Sequence, residues 1–200
     1  ASDVYKRQMQ RLVDYIYQEK YNGKIQRLIK SAKLRFPQAN RQGVIYASRG
    51  LNRELIENLF SGQYIGLHQS VILQGFTGSG KTYLACALGK EACLNHVRVR
   101  YVRLPDLLME YGDSTLVAGN QRKLLERYSR ISLLILDEWL VSDISDAELH
   151  FLFELMERRS DTTSTIFCTQ YRKDDWVKRL GEGVRAEAIV DRYAYTAFWI

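Results

Sequence analysis

The feature that most constrains this chain is a glycine-rich octapeptide at residues 75–82, Gly-Phe-Thr-Gly-Ser-Gly-Lys-Thr. It follows a short apolar run, Val71 to Leu73, and leads into an apolar segment of helical character. Glycine permits backbone conformations that side chains exclude, so a loop of this kind between a strand and a helix can turn backbone N–H groups toward phosphate oxygens. The pattern and its context predict binding of the phosphates of a nucleotide.

Two side chains of this loop have expected roles of their own. Lys81 would reach the β- and γ-phosphates of ATP, and the Thr82 hydroxyl would hold Mg²⁺. A glycine-rich turn arising by chance is the alternative, and it is expected in only about one chain in a hundred of this length. The residues expected to surround the nucleotide are Gly75, Phe76, Thr77, Gly78, Ser79, Gly80, Lys81, Thr82 and Tyr83.

A second chemical site follows an apolar run at residues 133–136, which ends in Asp137 and Glu138. Such a run predicts a strand buried on both faces, and ligands of open parallel sheets bind at the carboxyl ends of strands. Asp137 is expected to hold Mg²⁺ and Glu138 to orient and deprotonate an attacking water. Alone, the run favours a strand that simply turns into a loop; together with the glycine-rich loop it favours ATP hydrolysis.

The remaining pattern predicts an α/β fold. Strand signals at 71–73, 97–102, 133–136, 164–168 and 197–200 alternate with helical segments, the clearest at 81–94, 121–128 and 146–159. Strands separated by helical crossovers form parallel sheets. Thr169 and Gln170 follow the fourth strand, where they would either hydrogen-bond the γ-phosphate or attacking water or cap the strand end. Tyr46, Leu51 and Ile56 are expected either to wall the adenine or to pack in the core.

Positive charge is concentrated at the N-terminus. Residues 1–43 carry ten basic and three acidic side chains, whereas the remaining residues carry nineteen and twenty, for a net charge of +6. Apolar periodicity over residues 4–35 predicts two amphipathic helices joined near residues 21–23. The basic surface either follows nucleic-acid phosphates or is a solvated face that docks a partner. Its candidate DNA-binding residues are Lys6, Arg7, Arg11, Lys20, Lys24, Arg27, Lys30 and Lys33, with Arg35 extending the surface.

Composition limits the classes of protein further. The longest apolar runs are far shorter than the roughly 20 residues that span a bilayer, so we expect a cytoplasmic protein without membrane partners. Cys86, Cys93 and Cys168 lie in apolar segments without metal-ligand spacing, which predicts buried, reduced thiols. We expect two regions, a basic helical region at 1–43 and an ATP-binding domain at 44–200.

Several stretches together resemble the IstB-like ATPases, which assist insertion-sequence transposases, and their relatives the DnaC-like helicase loaders of the AAA+ superfamily. The resemblance implies a three-layer P-loop NTPase with a five-stranded parallel sheet behind a small helical segment. It also implies a homo-oligomer that assembles with ATP on double-stranded DNA and works with a transposase, or with a replicative helicase in the loaders. The matching stretches are 49–52, 61–65, the glycine-rich loop, 84–89, 103–105, 133–138, Thr169-Gln170 with Trp176, and 188–192.

The resemblance assigns roles to matching positions. Thr169 and Gln170 correspond to a sensor of the γ-phosphate, and Arg192 to an arginine finger that completes a neighbouring subunit's site; the alternative for Arg192 is a surface arginine at a helix end. Two positions depart from the family: Leu140 stands where glycine is usual, and the chain stops at Ile200, before a further sensor arginine and the C-terminal lid. A small-molecule P-loop kinase is the remote alternative, for which the chain shows no arginine-rich lid.

Overall fold

The computed structural model describes residues 2–46 and 50–200, and it consists of helices packed around one parallel sheet. Arg49, at the start of one stretch that resembles the family, lies outside the described residues. The helices are α1 (Ser2–Ala32), α2 (Arg53–Phe60), α3 (Gln63–Gly66), α4 (Lys81–Leu94), α5 (Leu104–Ser114), α6 (Asn120–Ser129), α7 (Asp146–Arg159), α8 (Trp176–Leu180) and α9 (Gly183–Ile189), which continues as one π-helical turn, Val190–Ala194. The strands are β1 (Val71–Gln74), β2 (Val99–Arg103), β3 (Leu133–Asp137), β4 (Ser164–Thr169) and β5 (Phe198–Trp199).

The sheet has five strands in the order β2-β3-β4-β1-β5, and every neighbouring pair is parallel. This confirms the predicted α/β fold with five parallel strands. Because the strands are parallel, their carboxyl ends meet at one edge of the sheet. In register, Arg103 lies beside Asp137, and Gln74 lies beside Thr169.

The two faces of the sheet bury two separate apolar cores, which makes the fold three-layered. Successive side chains along a strand point into opposite cores. In β3, Leu133 and Ile135 belong to the core beneath α4, whereas Leu134 and Leu136 belong to the core beneath α7. Both faces are covered by helices, so all five residues of β3 are buried. That explains why the sequence shows a continuous apolar run there rather than alternation.

The N-terminal segment differs from the prediction of two helices. It is one continuous helix, α1, and Gly23 lies inside it. Glycine in a helix costs only about 1 kcal/mol relative to alanine, and it keeps the backbone N–H that proline lacks. Near residue 21 the apolar side chains therefore shift to another face of the same helix, and the backbone does not turn.

The end of α1 and the segment after it pack into the core beneath α4. Ala32, Leu34, Ala39 and Val44 are all buried there, whereas the first half of α1 is exposed. The boundary between residues 43 and 44 stays a prediction. Within the described residues, no helix combines the length and the apolar character needed to cross a membrane.

Candidate functional site

The glycine-rich loop connects β1 to α4 and is shaped by its glycines in two different ways. Gly78 and Gly80 have φ angles of 81° and 92°, in the left-handed region that other residues avoid. Gly75 is needed for space, because a Cβ on it would lie 2.8 Å from the Ser79 hydroxyl oxygen. Larger residues at these positions would deform the loop.

Lys81 begins α4 and folds back under the loop. Its ammonium group donates to the carbonyl oxygens of Gly75 at 2.6 Å and Phe76 at 2.7 Å. Burial lowers the pKa of Lys81, partly offset by the negative charge of Asp137. The loop thus surrounds a cation whose desolvation favours contact with an anionic ligand.

Thr82 and Asp137, 55 residues apart in sequence, meet at the carboxyl edge of the sheet. The Thr82 hydroxyl donates to Asp137 Oδ2 at 2.8 Å, and the backbone N–H of Glu138 donates to Oδ1 at 2.9 Å. Tyr101, from β2, also donates its hydroxyl to Oδ2, at 2.7 Å. Burial, reinforced by this hydrogen bond, raises the pKa of Tyr101.

These residues fit Mg²⁺ well. A hydroxyl and a carboxylate are oxygen donors, and Mg²⁺ in phosphate-binding sites takes one or two protein ligands and completes its shell with water and phosphate oxygens. In the part of the chain that the structure describes, no group of three or more histidine, cysteine or acidic side chains forms a denser metal site. Thr82 and Asp137 would therefore hold Mg²⁺ beside the phosphates, where it neutralises negative charge.

Glu138, the expected base, is bound by two arginines. Arg103 Nη2 lies 2.8 Å from Glu138 Oε2, and this bond raises the pKa of Arg103. On the other side, Arg35 Nη1 lies 3.8 Å from Glu138 Oε1. The Glu138 carboxylate thus already has cationic partners and would have to turn from them to reach a water near the phosphates.

The turn after Glu138 is strained where the family usually has glycine. Leu140 has a φ angle of 62°, and its side chain is fully buried. Arg179 donates to the Leu140 carbonyl oxygen at 2.8 Å and holds this turn in place. Asp137 ends β3 and Glu138 follows it directly, so the leucine at position 140 changes the turn and leaves both carboxylates at the carboxyl edge of the sheet.

Thr169, the last residue of β4, and Gln170, which follows it, face different surroundings. Gln170 faces the same cavity as Asp137, with its amide oxygen 3.5 Å from the Thr77 hydroxyl. Thr169 is buried, donates its hydroxyl to the Trp139 carbonyl oxygen at 3.2 Å and accepts from the Tyr171 N–H at 3.1 Å. In this arrangement Thr169 caps the strand end, and Gln170 is the member of the pair that faces the phosphate side.

Two adjoining cavities flank the glycine-rich loop. One, of about 530 Å³, is partly apolar and lined by Val44, Ile45, Leu51, Leu73 and Ile200 together with the loop. The other, of about 470 Å³, contains Thr82, Asp137, Glu138 and Gln170. Both share Gly78, Gly80, Lys81 and Tyr83. The first has the character of a site for the base and sugar, and the second that of a site for the terminal phosphate.

Of the three residues considered for the adenine wall, the structure places one at the cavity. Leu51 lines it, Ile56 is fully buried in the core, and Tyr46 donates its hydroxyl to Glu57 at 2.9 Å. Asn52 accepts from the Leu55 N–H at the start of α2. Cys86, Cys93 and Cys168 are buried, unpaired thiols, as predicted.

Arg192 lies away from both cavities of its own chain. It sits in the π-helical turn after α9 and forms an ion pair with Glu157 of α7. Its side chain is partly exposed, so it is accessible at the surface. A role in ATP chemistry would therefore require a second copy of the chain.

The candidate DNA-binding residues lie on α1 and at its end. Lys6, Arg7, Arg11, Lys20, Lys24, Arg27, Lys30 and Lys33 are all exposed. The face that carries Lys20, Lys24 and Arg27 leads to Ser31, which lines a third cavity of about 280 Å³. Lys33, Arg98, Arg100 and Arg127 also line this cavity, so the positive surface continues from α1 onto the edge of the sheet.

Sequence reasoning missed three residues at the ATP-side cavity and its edge. Tyr101 was assigned only to the strand at 97–102, Arg103 only to a stretch that resembles the family, and Arg35 only to the basic surface. For Tyr101 and Arg103 a signal existed, because both lie near the end of a strand. In a parallel sheet the end of β2 lies beside the end of β3, where Asp137 stands. No local pattern indicated Arg35, since its position depends on how α1 packs against α4.

The fold and this site define a P-loop nucleotide-binding protein. The family model for the IstB-like ATP binding protein matches residues 1–199. The chain belongs to this family.

Individual relatives agree with this assignment. The chain is 35% identical over 181 residues to an insertion sequence ATP-binding protein of Sinorhizobium fredii, y4pL, covering 89% of this chain and 72% of that protein. It is 32% identical to the IS21 ATP-binding protein of Pseudomonas aeruginosa, covering 88% and 67%. It is 29% identical to the replicative helicase loader DnaC of Escherichia coli, covering 61% and 51%.

Solved structures share the fold. A crystal structure of the DnaC helicase loader matches with a TM-score of 0.68 at 21% identity, over 82% of this chain and 97% of that one. DnaA of Aquifex aeolicus, bound to the ATP analogue AMPPCP, matches with a TM-score of 0.68 at 18% identity, over 82% and 50%. At these identities the likeness establishes the fold alone.

Proposed function

We propose that this protein hydrolyses ATP, assembles with further copies on double-stranded DNA and assists an insertion-sequence transposase. The observation that carries the ATP chemistry is the Thr82–Asp137 contact of 2.8 Å, with Lys81 and Glu138 beside it. Together these residues supply a phosphate-binding cation, a site for Mg²⁺ and a carboxylate base at one cavity. That set is what hydrolysis of a phosphoanhydride requires.

In the proposed reaction each residue has one task. Lys81 contacts the β- and γ-phosphates, and Thr82 and Asp137 hold Mg²⁺. Glu138 turns from Arg103 to accept a proton from the attacking water, and Gln170 hydrogen-bonds that water or the γ-phosphate. Thr169 supports Gln170 by capping the strand end.

The role on DNA is supported by the position of the positive charge. Lys20, Lys24 and Arg27 are exposed on one face of α1, and that face leads to the basic cavity at the sheet edge. Among the described residues that line this cavity, none is acidic. A continuous cationic surface of this kind suits the regularly spaced phosphates of duplex DNA. We assign DNA binding to the exposed basic face of α1 in region 1–43 together with this edge, and most of the ATP site to region 44–200.

A transposase is the proposed partner because relatives at 32–35% identity are insertion sequence proteins. The similarity to DnaC supports a second candidate, a helicase loader, over a shorter stretch of the chain. The two differ in what α1 would bind: duplex DNA in the first case and a helicase in the second. Binding of the purified protein to duplex DNA without a helicase favours the first.

The experiment that tests hydrolysis compares the wild-type protein with Glu138→Gln. We expect Glu138→Gln to keep ATP affinity and to lower the turnover rate by about a hundredfold or more, because a general base contributes 10²–10⁴-fold. Phosphate release and nucleotide binding are measured on the same samples with duplex DNA present. Undiminished turnover by Glu138→Gln would remove Glu138 as the base, and no turnover by the wild type would contradict hydrolysis.

A further inference from the structure

The segment that follows α1 brings one arginine into the ATP site. Arg35 lies three residues after the end of α1, between Leu34, which is buried, and Phe36, which packs against Tyr83 with ring centroids 6.2 Å apart. Tyr83 belongs to α4, two residues after Lys81. The backbone of Arg35 is therefore held against the helix that begins at the phosphate loop.

The side chain of Arg35 lines the cavity on the γ-phosphate side of the loop. The same cavity of about 470 Å³ is lined by Lys81, Thr82, Asp137 and Gln170. Arg35 does not line the neighbouring, more apolar cavity expected to take the base and sugar. Its guanidinium is thus positioned for the terminal phosphate rather than for the rest of the nucleotide.

Arg35 contacts Glu138, the Tyr101 hydroxyl and the Phe36 ring, and its ion pair with Glu138 is weak. Its Nη1 lies 3.8 Å from Glu138 Oε1, beyond hydrogen-bond distance, and the Arg35 side chain is 51% exposed. An exposed ion pair of this length contributes little stability. A phosphate group carries more negative charge than a carboxylate, and the planar guanidinium can donate two parallel hydrogen bonds to it.

We propose that Arg35 is a further nucleotide-binding residue that donates to the γ-phosphate of ATP from its own chain. When ATP is bound, Arg35 exchanges the Glu138 carboxylate for the phosphate. That exchange leaves Arg103 as the remaining arginine partner of Glu138. The carboxylate then has one ion pair fewer to break before it can turn toward the attacking water. The inference rests on the proposed ATP chemistry of this site, but it concerns binding and does not require turnover.

The test is a comparison of two nucleotides that differ in the γ-phosphate. The affinities of the wild type, Arg35→Ala and Arg35→Lys for ADP and for the non-hydrolysable β,γ-methylene analogue of ATP are measured with Mg²⁺ at equilibrium. We expect Arg35→Ala to weaken binding of the analogue by about tenfold, because a charge-assisted hydrogen bond is lost, with ADP affinity unchanged. Arg35→Lys keeps the positive charge but lacks the planar guanidinium that donates two parallel hydrogen bonds. Its affinity for the analogue should therefore lie between those of the wild type and Arg35→Ala.

The matched control is Arg158→Ala, which removes an exposed guanidinium from the last turn of α7. Neither affinity should change in this variant. Equal loss of ADP and analogue binding in Arg35→Ala, or no loss of either, would overturn the proposal. Absence of turnover in the wild type would contradict the proposed hydrolysis alone, because this assay measures binding only.

Discussion

At the scale of single residues, the turn after Asp137 and Glu138 shows two opposing effects at one position. Leu140 adopts a left-handed backbone conformation with a φ angle of 62°, which costs a residue with a Cβ about 1–2 kcal/mol. Its side chain is fully buried in the core beneath α7, and removing a buried leucine costs about 2–5 kcal/mol. The stabilisation from burial therefore exceeds the backbone strain, which explains how leucine is tolerated where glycine suits the backbone.

Two substitutions separate these effects. Leu140→Ala loses the buried side chain and keeps the strain, so we expect the free energy of unfolding to fall by about 3 kcal/mol. Leu140→Gly loses the same side chain and relieves the strain, so it should be more stable than Leu140→Ala by about 1 kcal/mol. Urea unfolding measures both values. If Leu140→Ala were the more stable of the two, the left-handed conformation would not be costly.

At the scale of elements, α1 joins the positive surface to the ATP site. Its exposed first half carries basic residues, and its last turn packs beside α4. The helix rises about 1.5 Å per residue, so Lys20 and Ser31 are about 16 Å apart along it. The basic face and the cavity at its end therefore form one surface long enough to contact several phosphates of a duplex.

Replacing Lys20, Lys24 and Arg27 by glutamine tests that surface. We expect weaker binding to duplex DNA of any sequence and a flatter dependence on salt, with a slope smaller by up to about 3 because each phosphate contact contributes about 0.9. Fluorescence anisotropy at several salt concentrations measures the slope. The control triple is Arg158, Lys178 and Arg185 to glutamine, which removes the same charge from exposed positions elsewhere. Equal slopes in the two variants would assign the binding to net charge alone.

At the scale of the whole molecule, Arg192 lies outside the nucleotide cavities of its own chain. It pairs instead with Glu157. If Arg192 acts as a finger, it completes the site of a neighbouring copy, and hydrolysis depends on assembly. Arginine fingers increase turnover by 10³–10⁵-fold.

Mixing two inactive variants tests this arrangement. Arg192→Ala supplies an intact ATP site and Lys81→Ala supplies an intact finger, so the mixture should recover part of the turnover that each lacks alone. The control variant, Glu157→Gln, removes the ion-pair partner of Arg192 and keeps the arginine, so it should remain active. Phosphate release is measured over a range of mixing ratios. No recovery at any ratio argues against a finger supplied by a second copy.

Much of the ATP site could be predicted from the sequence because its residues are local to strand ends. Lys81 and Thr82 begin α4 after the glycine-rich loop that follows β1, and Asp137 ends β3 with Glu138 next to it, so motif spacing and apolar runs were sufficient to place them. The five strands and most helices were predicted for the same reason. Two helices were predicted where α1 is continuous, because apolar periodicity reports which face is buried and not whether the backbone turns.

What the sequence determined by itself is the five strands, most of the helices and the chemistry at the ends of β1 and β3, since these depend on periodicity and on backbone conformations over a few residues. Only the tertiary structure decided the strand order, which sets Tyr101 and Arg103 beside Asp137 and Glu138. It also decided that the buried Arg159 donates to the carbonyl oxygens of Tyr128, Ile131 and Ser164, and that Arg35 faces the ATP cavity. These contacts join residues that are distant in sequence, and they form only when packing of the apolar faces brings separate elements together.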